Sequence, residues 1–308
     1  MIDLITYHYN KGYCLNLSDE NNWWVTGYED GIKYANTLAT IMNLKGCSAN
    51  GSPKLIFLES KEARITETNR DNIVLSESLQ DFGAEWEFFD IYLIRLYNHD
   101  NFDDIICEVK YQENTKTGKY IFLWLSLYAI HQRSIRIGGL PFHAGLVEFM
   151  GRGFLLAGQG GTGKSTCCRR LPNNWKPLCD DESLIVLDKS KSYHVHPFPT
   201  WSDYIMERAK NTWDVQNSVP LSAIFFLEQS EKDEVIPLSK EQSAILIAKS
   251  SIQVYERSWR WINKNNQTII IKDIFNNAVE MVKVVPAYRL CVSTNGRFWE
   301  EIEKVLPF

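Results

Sequence analysis

The 308-residue sequence has no C-x-x-C pair, and its seven cysteines (Cys14, Cys47, Cys107, Cys167, Cys168, Cys179 and Cys291) are odd in number. A zinc ribbon takes its ligands from such pairs and a secreted disulfide framework uses an even set, so neither is expected, and a reducing cytoplasm fits. The start, MIDLITYHYN, lacks a basic segment followed by an apolar stretch and a small-residue cleavage site, so no signal peptide is expected. Long apolar runs are missing too. The longest, Tyr120 to Ile130, is about half of the roughly 20 residues a membrane-spanning helix needs, so no membrane span is expected. No Lys/Arg-rich tract is present, and the formal charge is 33 − 38 = −5. Nucleic-acid binding by counterion release needs clustered cations, so nucleic acid is not an expected partner. An anionic ligand must be held by a locally built site.

What is present is ample apolar material, 44% of residues with 13% aromatic, enough for one large domain or two ordinary ones. The charge divides unevenly. Residues 1–116 carry 10 basic and 19 acidic groups, net −9, and residues 117–308 carry 23 and 19, net +4. The first part alternates strand-like runs (Leu4 to Tyr9, Trp23 to Tyr28, Lys54 to Leu58, Trp86 to Tyr97, Ile105 to Tyr111) with one helical stretch near Gly31 to Leu44, which reads as a small α+β domain. The polar stretch Gln112 to Gly118 marks its end.

The second part opens with a predicted buried helix, Tyr120 to Gln132, then strands Phe142 to Phe149 and Phe154 to Ala157. Later strands are expected at Ser183 to Leu187, Ala223 to Leu227, Thr268 to Ile271 and Tyr288 to Val292, and helices at Lys240 to Ser250 and Ile274 to Val284. Paired strands feeding a loop and helix, with more of both behind, make residues 117–308 an α/β domain.

The segment that carries chemistry is Gly158-Gln159-Gly160-Gly161-Thr162-Gly163-Lys164-Ser165, followed by Thr166, which fits G-x-x-x-x-G-K-[ST] in full. Glycines let backbone N–H groups turn inward around phosphate oxygens, the lysine adds charge at the β and γ phosphates, and the serine hydroxyl binds Mg²⁺. A helix from about Ser165 to Leu171 would add its N-terminal dipole. About fifteen residues after the lysine stand Asp180 and Asp181, ahead of an apolar run. They return to the phosphate loop if Lys176 to Cys179 forms a neighbouring strand; otherwise they are a solvated acidic turn.

His143-Ala144-Gly145, Gly153 to Ala157, the phosphate loop and Leu178-Cys179-Asp180-Asp181 together resemble the catalytic domain of HPr kinase/phosphorylase. Pro197-Phe198-Pro199, Ala223 to Glu228, Pro286 to Leu290 and the ending Gly296 to Glu303 resemble, more closely, the HPr-kinase-like proteins of SynChlorMet-type peptide-modification cassettes. The resemblance covers roughly residues 117–308. It implies a P-loop kinase core using ATP and Mg²⁺ to phosphorylate a Ser/Thr hydroxyl of a peptide or small protein. Residue by residue, it implies Lys164 as electrostatic stabiliser, Ser165 and Asp181 on the metal, Asp180 as general base, and His143 near the site. The family's third loop serine is Gly160 here, and its downstream E-x-R-G-x-G carboxylate motif is missing. Both departures count against reverse phosphorolysis and against HPr as substrate without settling either; Asp203 and Glu228 are the available replacements for the carboxylate.

Other functions fit the same loop: a nucleotide-dependent ATPase or switch, a nucleotide-regulated peptide-binding module, or a small-metabolite kinase. A GTPase does not fit, because Asn263-Lys264-Asn265-Asn266 lacks the guanine-reading Asp. His194 and His196 read as packing or substrate lining rather than metal ligands, and Cys167 with Cys168 as packing rather than reactive thiols. Arg257-Ser258-Trp259-Arg260-Trp261 is either a surface turn or a clamp for a phosphate, adenine or acidic peptide. Trp23-Trp24 is either core or a docking patch. The acidic first part points to a basic acceptor, and an oligomer is compatible with everything above.

Overall fold

A computed structural model describes residues 11–18, 22–48, 52–60, 87–99, 102–110, 116–209, 213–256, 258–259 and 262–306. The predicted strand Leu4 to Tyr9, Trp86, residues 112–115, Arg257, Arg260 and Trp261 lie outside them. The structure is mixed α/β with two multi-stranded sheets. Its described residues gather into two compact units, one within Met1–Asn16, Asn21–Ala129 and Trp201–Thr212, the other within Leu17–Glu20, Ile130–Thr200 and Trp213–Phe308.

In the first unit, strands β1 (Gly12–Leu15), β2 (Trp23–Gly27), β3 (Lys45–Cys47), β4 (Lys54–Glu59), β5 (Glu87–Ile91), β6 (Ile94–His99) and β7 (Phe102–Val109) form one sheet in the order β3-β1-β2-β4-β7-β6-β5. The central trio β2, β4 and β7 is parallel. Parallel neighbours need a crossover, and helix α1 (Ile32–Met42) lies in the one between β2 and β4, burying Tyr34, Ala35, Leu38 and Met42. Trp23 and Trp24 are both buried, so this pair is core. The run expected as one strand from Trp86 to Tyr97 is a hairpin of β5 and β6 that turns at Tyr92, whose φ is 50°. Helix α2 (Lys116–Ser126) stops short of its predicted end. The Ser126 hydroxyl donates to the Leu123 carbonyl at 2.7 Å, competing with the helix's own ladder, and α3 (Tyr128–Arg136) follows after the break.

Contrary to the expectation of no disulfide, two of the cysteines are bonded. Cys14 and Cys47 form a disulfide with Cα atoms 5.9 Å apart. They lie on the antiparallel pair β1 and β3, where Tyr13 faces Gly46, and the spacing of 33 residues gives no sequence cue to that pairing. Closing a loop of that length should contribute about 4 kcal/mol. Denaturant titration with and without reductant measures it, and coincident midpoints would contradict it.

In the second unit, β8 (Leu140–Phe142), β9 (Ala144–Phe149), β10 (Arg152–Ala157), β11 (Trp175–Cys179), β12 (Glu182–Leu187), β13 (Tyr193–Phe198) and β14 (Val219–Gln229) form a sheet in the order β11-β9-β10-β14-β13-β12-β8. Strand β16 (Ala287–Val292) pairs in parallel with the later half of β14, and β15 (Glu234–Pro237) pairs with β16. Helices α4 (Lys164–Arg170), α6 (Lys240–Tyr255), α7 (Lys264–Met281) and α8 (Phe298–Val305) belong to this unit, and the short α5 (Trp201–Ile205) to the first. One core joins Phe154, Leu156, Cys167, Cys168, Phe225, Leu290, Phe298 and Ile302, so α4 and α8 pack on the same face of the sheet.

The predicted strand Thr268 to Ile271 is instead part of α7. Asn263 caps that helix by accepting from the Asn266 N–H at 2.9 Å. Ile270, Ile274, Ala278 and Met281 then fall on one buried face. The β-branched run is local, whereas the 3.6-residue period extends over eighteen residues.

Candidate functional site

Sheet direction brings the site together. Strand β9 is antiparallel to both β10 and β11, so β10 and β11 end at the edge where β9 begins. Gly158 follows β10, Asp180 follows β11 and His143 precedes β9, which sets all three side by side. Strand β14 is parallel to β10, with Ala157 facing Phe226, so Glu228 and Gln229 reach the same edge.

The glycine-rich loop is open where a ligand would enter. Gly161 and Gly163 have φ of 85° and 103°, which non-glycine residues adopt only under strain. Side-chain atoms added at Gly160, Gly161 or Gly163 would meet nothing within 4 Å. The neck is tight, because a Cβ on Gly158 would lie 2.5 Å from Thr162 Oγ1. The Thr162 hydroxyl and N–H both donate to the Gln159 carbonyl, at 2.8 and 3.2 Å, and fix the turn. Gln229 Nε2 donates to the Gly161 carbonyl at 3.3 Å from outside. The first turn of α4 carries no side-chain cap, which leaves N–H groups directed at the cradle.

Lys164 is 7% exposed, and its ammonium donates to the Gly158 carbonyl at 2.8 Å. Burial pulls its pKa below the ordinary lysine value, while the nearby carboxylates of Asp181 and Asp180 act to hold its proton. The acidic pair and the loop therefore share one electrostatic neighbourhood. Ser165 is half-buried in the first turn of α4; Thr166 is exposed and accepts a bond from Arg169 at 3.4 Å.

Helix α4 approaches the sheet closely because residue 145 has no side chain. A Cβ there would lie 2.8 Å from Cys168 Sγ and 3.4 Å from Asp180 Cα. Cys167 and Cys168 are buried, and burial raises both thiols, Cys167 to about 11, so they serve as packing.

Each aspartate has its own partner. Asp180 Oδ1 accepts from the Thr200 hydroxyl at 2.6 Å, and Thr200 accepts from Trp213 Nε1 at 3.1 Å. Asp181 Oδ1 lies 3.2 Å from His143 Nε2, and His143 Nδ1 lies 2.9 Å from Gln253 Oε1 on α6. Thr200, Trp213 and Gln253 escaped sequence reading. Only the pairing of β12 with β13, Glu182 opposite Phe198, could have placed residue 200 across from residue 180.

The substitutes for the missing carboxylate fare differently. Asp203 lies in the first unit and accepts from Arg208 at 2.7 Å. Glu228 reaches the right edge, exposed and paired with Arg289 at 3.3 Å. Among the described residues no cluster of three or more His, Cys, Asp or Glu is placed to hold a metal. Mg²⁺ does not require such a cage, since it is commonly held by one or two carboxylates plus substrate phosphates. Ser165 and Asp181 suit that role chemically.

His194 and His196 are structural. His194 Nε2 lies 3.3 Å from Asp188 Oδ2. His196 donates from Nδ1 to the Val215 carbonyl at 2.7 Å and accepts the Ser18 N–H at Nε2, 3.0 Å away. Burial, aided by the His194 charge and opposed by the Val215 bond, pushes His196 down to about 4. His131 is pushed down to about 3, although Glu182 Oε1 lies 3.4 Å from its Nε2; complete burial outweighs that attraction. Unfolding lets these rings take protons below about 6.5, so stability should be full above that pH and fall as pH drops toward 4. His196 alone accounts for up to about 3 kcal/mol of that loss. Denaturation midpoints at pH 7 and pH 5 for wild type and His196→Asn check it, and equal pH sensitivity in both would contradict the assignment.

The family model for the SynChlorMet cassette protein ScmC matches residues 105–307, well over half of the chain, and spans the loop, the aspartate pair, His143, Thr200 and Gln253. Among curated proteins none matches. The chain belongs to the SynChlorMet cassette protein ScmC family.

Proposed function

We propose that this protein is an HPr-kinase-like enzyme that transfers the γ-phosphate of ATP to a Ser/Thr hydroxyl of a peptide or small protein, such as a precursor peptide encoded in the same cassette. The observation that carries the reading is the convergence of Lys164, Asp180 and the Asp181–His143 pair at the mouth of an open glycine cradle. A cradle alone suits any nucleotide protein; a carboxylate beside it, separate from the one suited to the metal, suits an acceptor hydroxyl.

Phosphoryl transfer is mostly positioning and charge stabilisation. The loop N–H groups would hold the phosphate oxygens and Lys164 would leave the Gly158 carbonyl for them. Mg²⁺, when bound at Ser165 and Asp181, supplies neutralising charge to the phosphates. Asp180 takes the acceptor's hydroxyl proton as its oxygen bonds to the γ-phosphorus and the bond to the departing ADP oxygen breaks. His143, held by Gln253, fixes Asp181. The −9 charge of residues 1–116 favours an acceptor bearing basic residues, and its binding should weaken as salt shortens the Debye length below roughly 8 Å.

The test compares phosphate released to water with phosphate incorporated into cassette peptides, using Mg-ATP labelled in the γ position. Incorporation into a peptide hydroxyl supports the reading. Rapid hydrolysis with no incorporation into any of them would replace it with an ATPase or switch.

A further inference from the structure

We infer that Thr200 and Trp213 form a directed hydrogen-bond relay that fixes Asp180, which makes Thr200 a positioning residue for the base; this rests on the kinase reading above. Three observations carry it. The first is direction. An indole N–H can only donate, so the 3.1 Å contact makes Thr200 Oγ1 the acceptor and leaves its single proton for Asp180 Oδ1 at 2.6 Å. A hydroxyl with no such neighbour would be free to rotate away from the carboxylate.

The second is construction. Glu182 pairs with Phe198 across β12 and β13, and the same antiparallel register carried two residues further sets Thr200 opposite Asp180. Pro197 and Pro199 flank Phe198 and stiffen the chain that delivers Thr200. The Trp213 segment is itself anchored, because Val215 accepts from His196 of β13 at 2.7 Å. The relay is therefore held at both ends by the strand that precedes Thr200.

The third is a division of labour. Thr200 is 9% exposed, and its charge-assisted bond occupies Oδ1, which leaves Oδ2 to meet an acceptor. Asp181, bonded to His143, is supported separately. Two adjacent carboxylates thus have independent orienting partners and can keep different roles.

Loss of the hydroxyl should allow the base to wander while leaving the glycine cradle intact. Thr200→Val should lower kcat by about tenfold to a hundredfold, with KM for ATP unchanged. Thr200→Ser, which keeps the hydroxyl, should restore most of kcat. Turnover of Thr200→Val equal to wild type, or Thr200→Ser as poor as Thr200→Val, would overturn the relay while leaving the kinase reading standing.

If the wild type transfers no phosphate to any peptide, that reading fails and a second measurement decides the relay alone. The Trp213 indole N–H resonance, identified by its loss in Trp213→Phe, should move in both Asp180→Ala, which removes the acceptor, and Thr200→Val, and return in Thr200→Ser. A resonance unmoved by Asp180→Ala and Thr200→Val contradicts the relay.

Discussion

Replacing Asp180 with Asn should lower phosphoryl transfer by about 10² to 10⁴-fold while nucleotide affinity stays unchanged. Asparagine keeps an oxygen that can accept from Thr200, so the 2.6 Å bond and the turn after β11 survive. What disappears is the ability to take the acceptor's proton. The substitution leaves Lys164, the glycine cradle and Asp181 in place, which confines the loss to the chemical step. Single-turnover transfer beside equilibrium nucleotide titration separates the two effects. A large drop in affinity with unchanged transfer would move Asp180 from base to ligand support.

Lys164→Met should lose transfer by about 10² to 10³-fold, the range found when one preorganised charge-stabilising donor is removed. Nucleotide affinity should fall with it. Methionine retains the packing of the buried stem, whereas alanine would open a gap beside Cys168. Because burial disfavours the Lys164 charge, removing that charge should leave thermal stability equal or slightly higher. An unfolded Lys164→Met would mean that the lysine's bond to the Gly158 carbonyl holds the loop together, contrary to this view of it as a poised ligand.

Much of the site was legible because it is local in sequence. The loop, its lysine and the aspartate pair are short motifs with fixed spacing, and the apolar strands on either side of the loop were readable from composition. What stayed hidden depends on strand register and on partners far along the chain. Thr200 and Gln253 reach Asp180 and His143 across separations of 20 and 110 residues. The Cys14–Cys47 bond likewise follows from β1 lying beside β3. Thr268 to Ile271 misled because β-branched residues favour strands locally, while the capped helix around them buries Ile270 and Ile274 in one stripe.

His194-Val195-His196 resembles a ligand pair in spacing alone. Alternation placed both rings on one strand face, yet each is committed elsewhere, His194 to Asp188 and His196 to Val215 and Ser18. In the same way, the close fit of Gly145 under Cys168 explains two adjacent cysteines without any redox chemistry.

The most direct test of the central claim is label transfer from γ-labelled ATP to the proposed acceptor class, peptides bearing Ser or Thr, run in parallel with wild type, Lys164→Met and Asp180→Asn. Stable label on a Ser or Thr hydroxyl, formed by wild type and nearly abolished in both variants, is the predicted result. Equal labelling by all three proteins would contradict the assignment of these residues. No labelling by wild type, with ATP bound and the peptide present, would contradict the kinase itself.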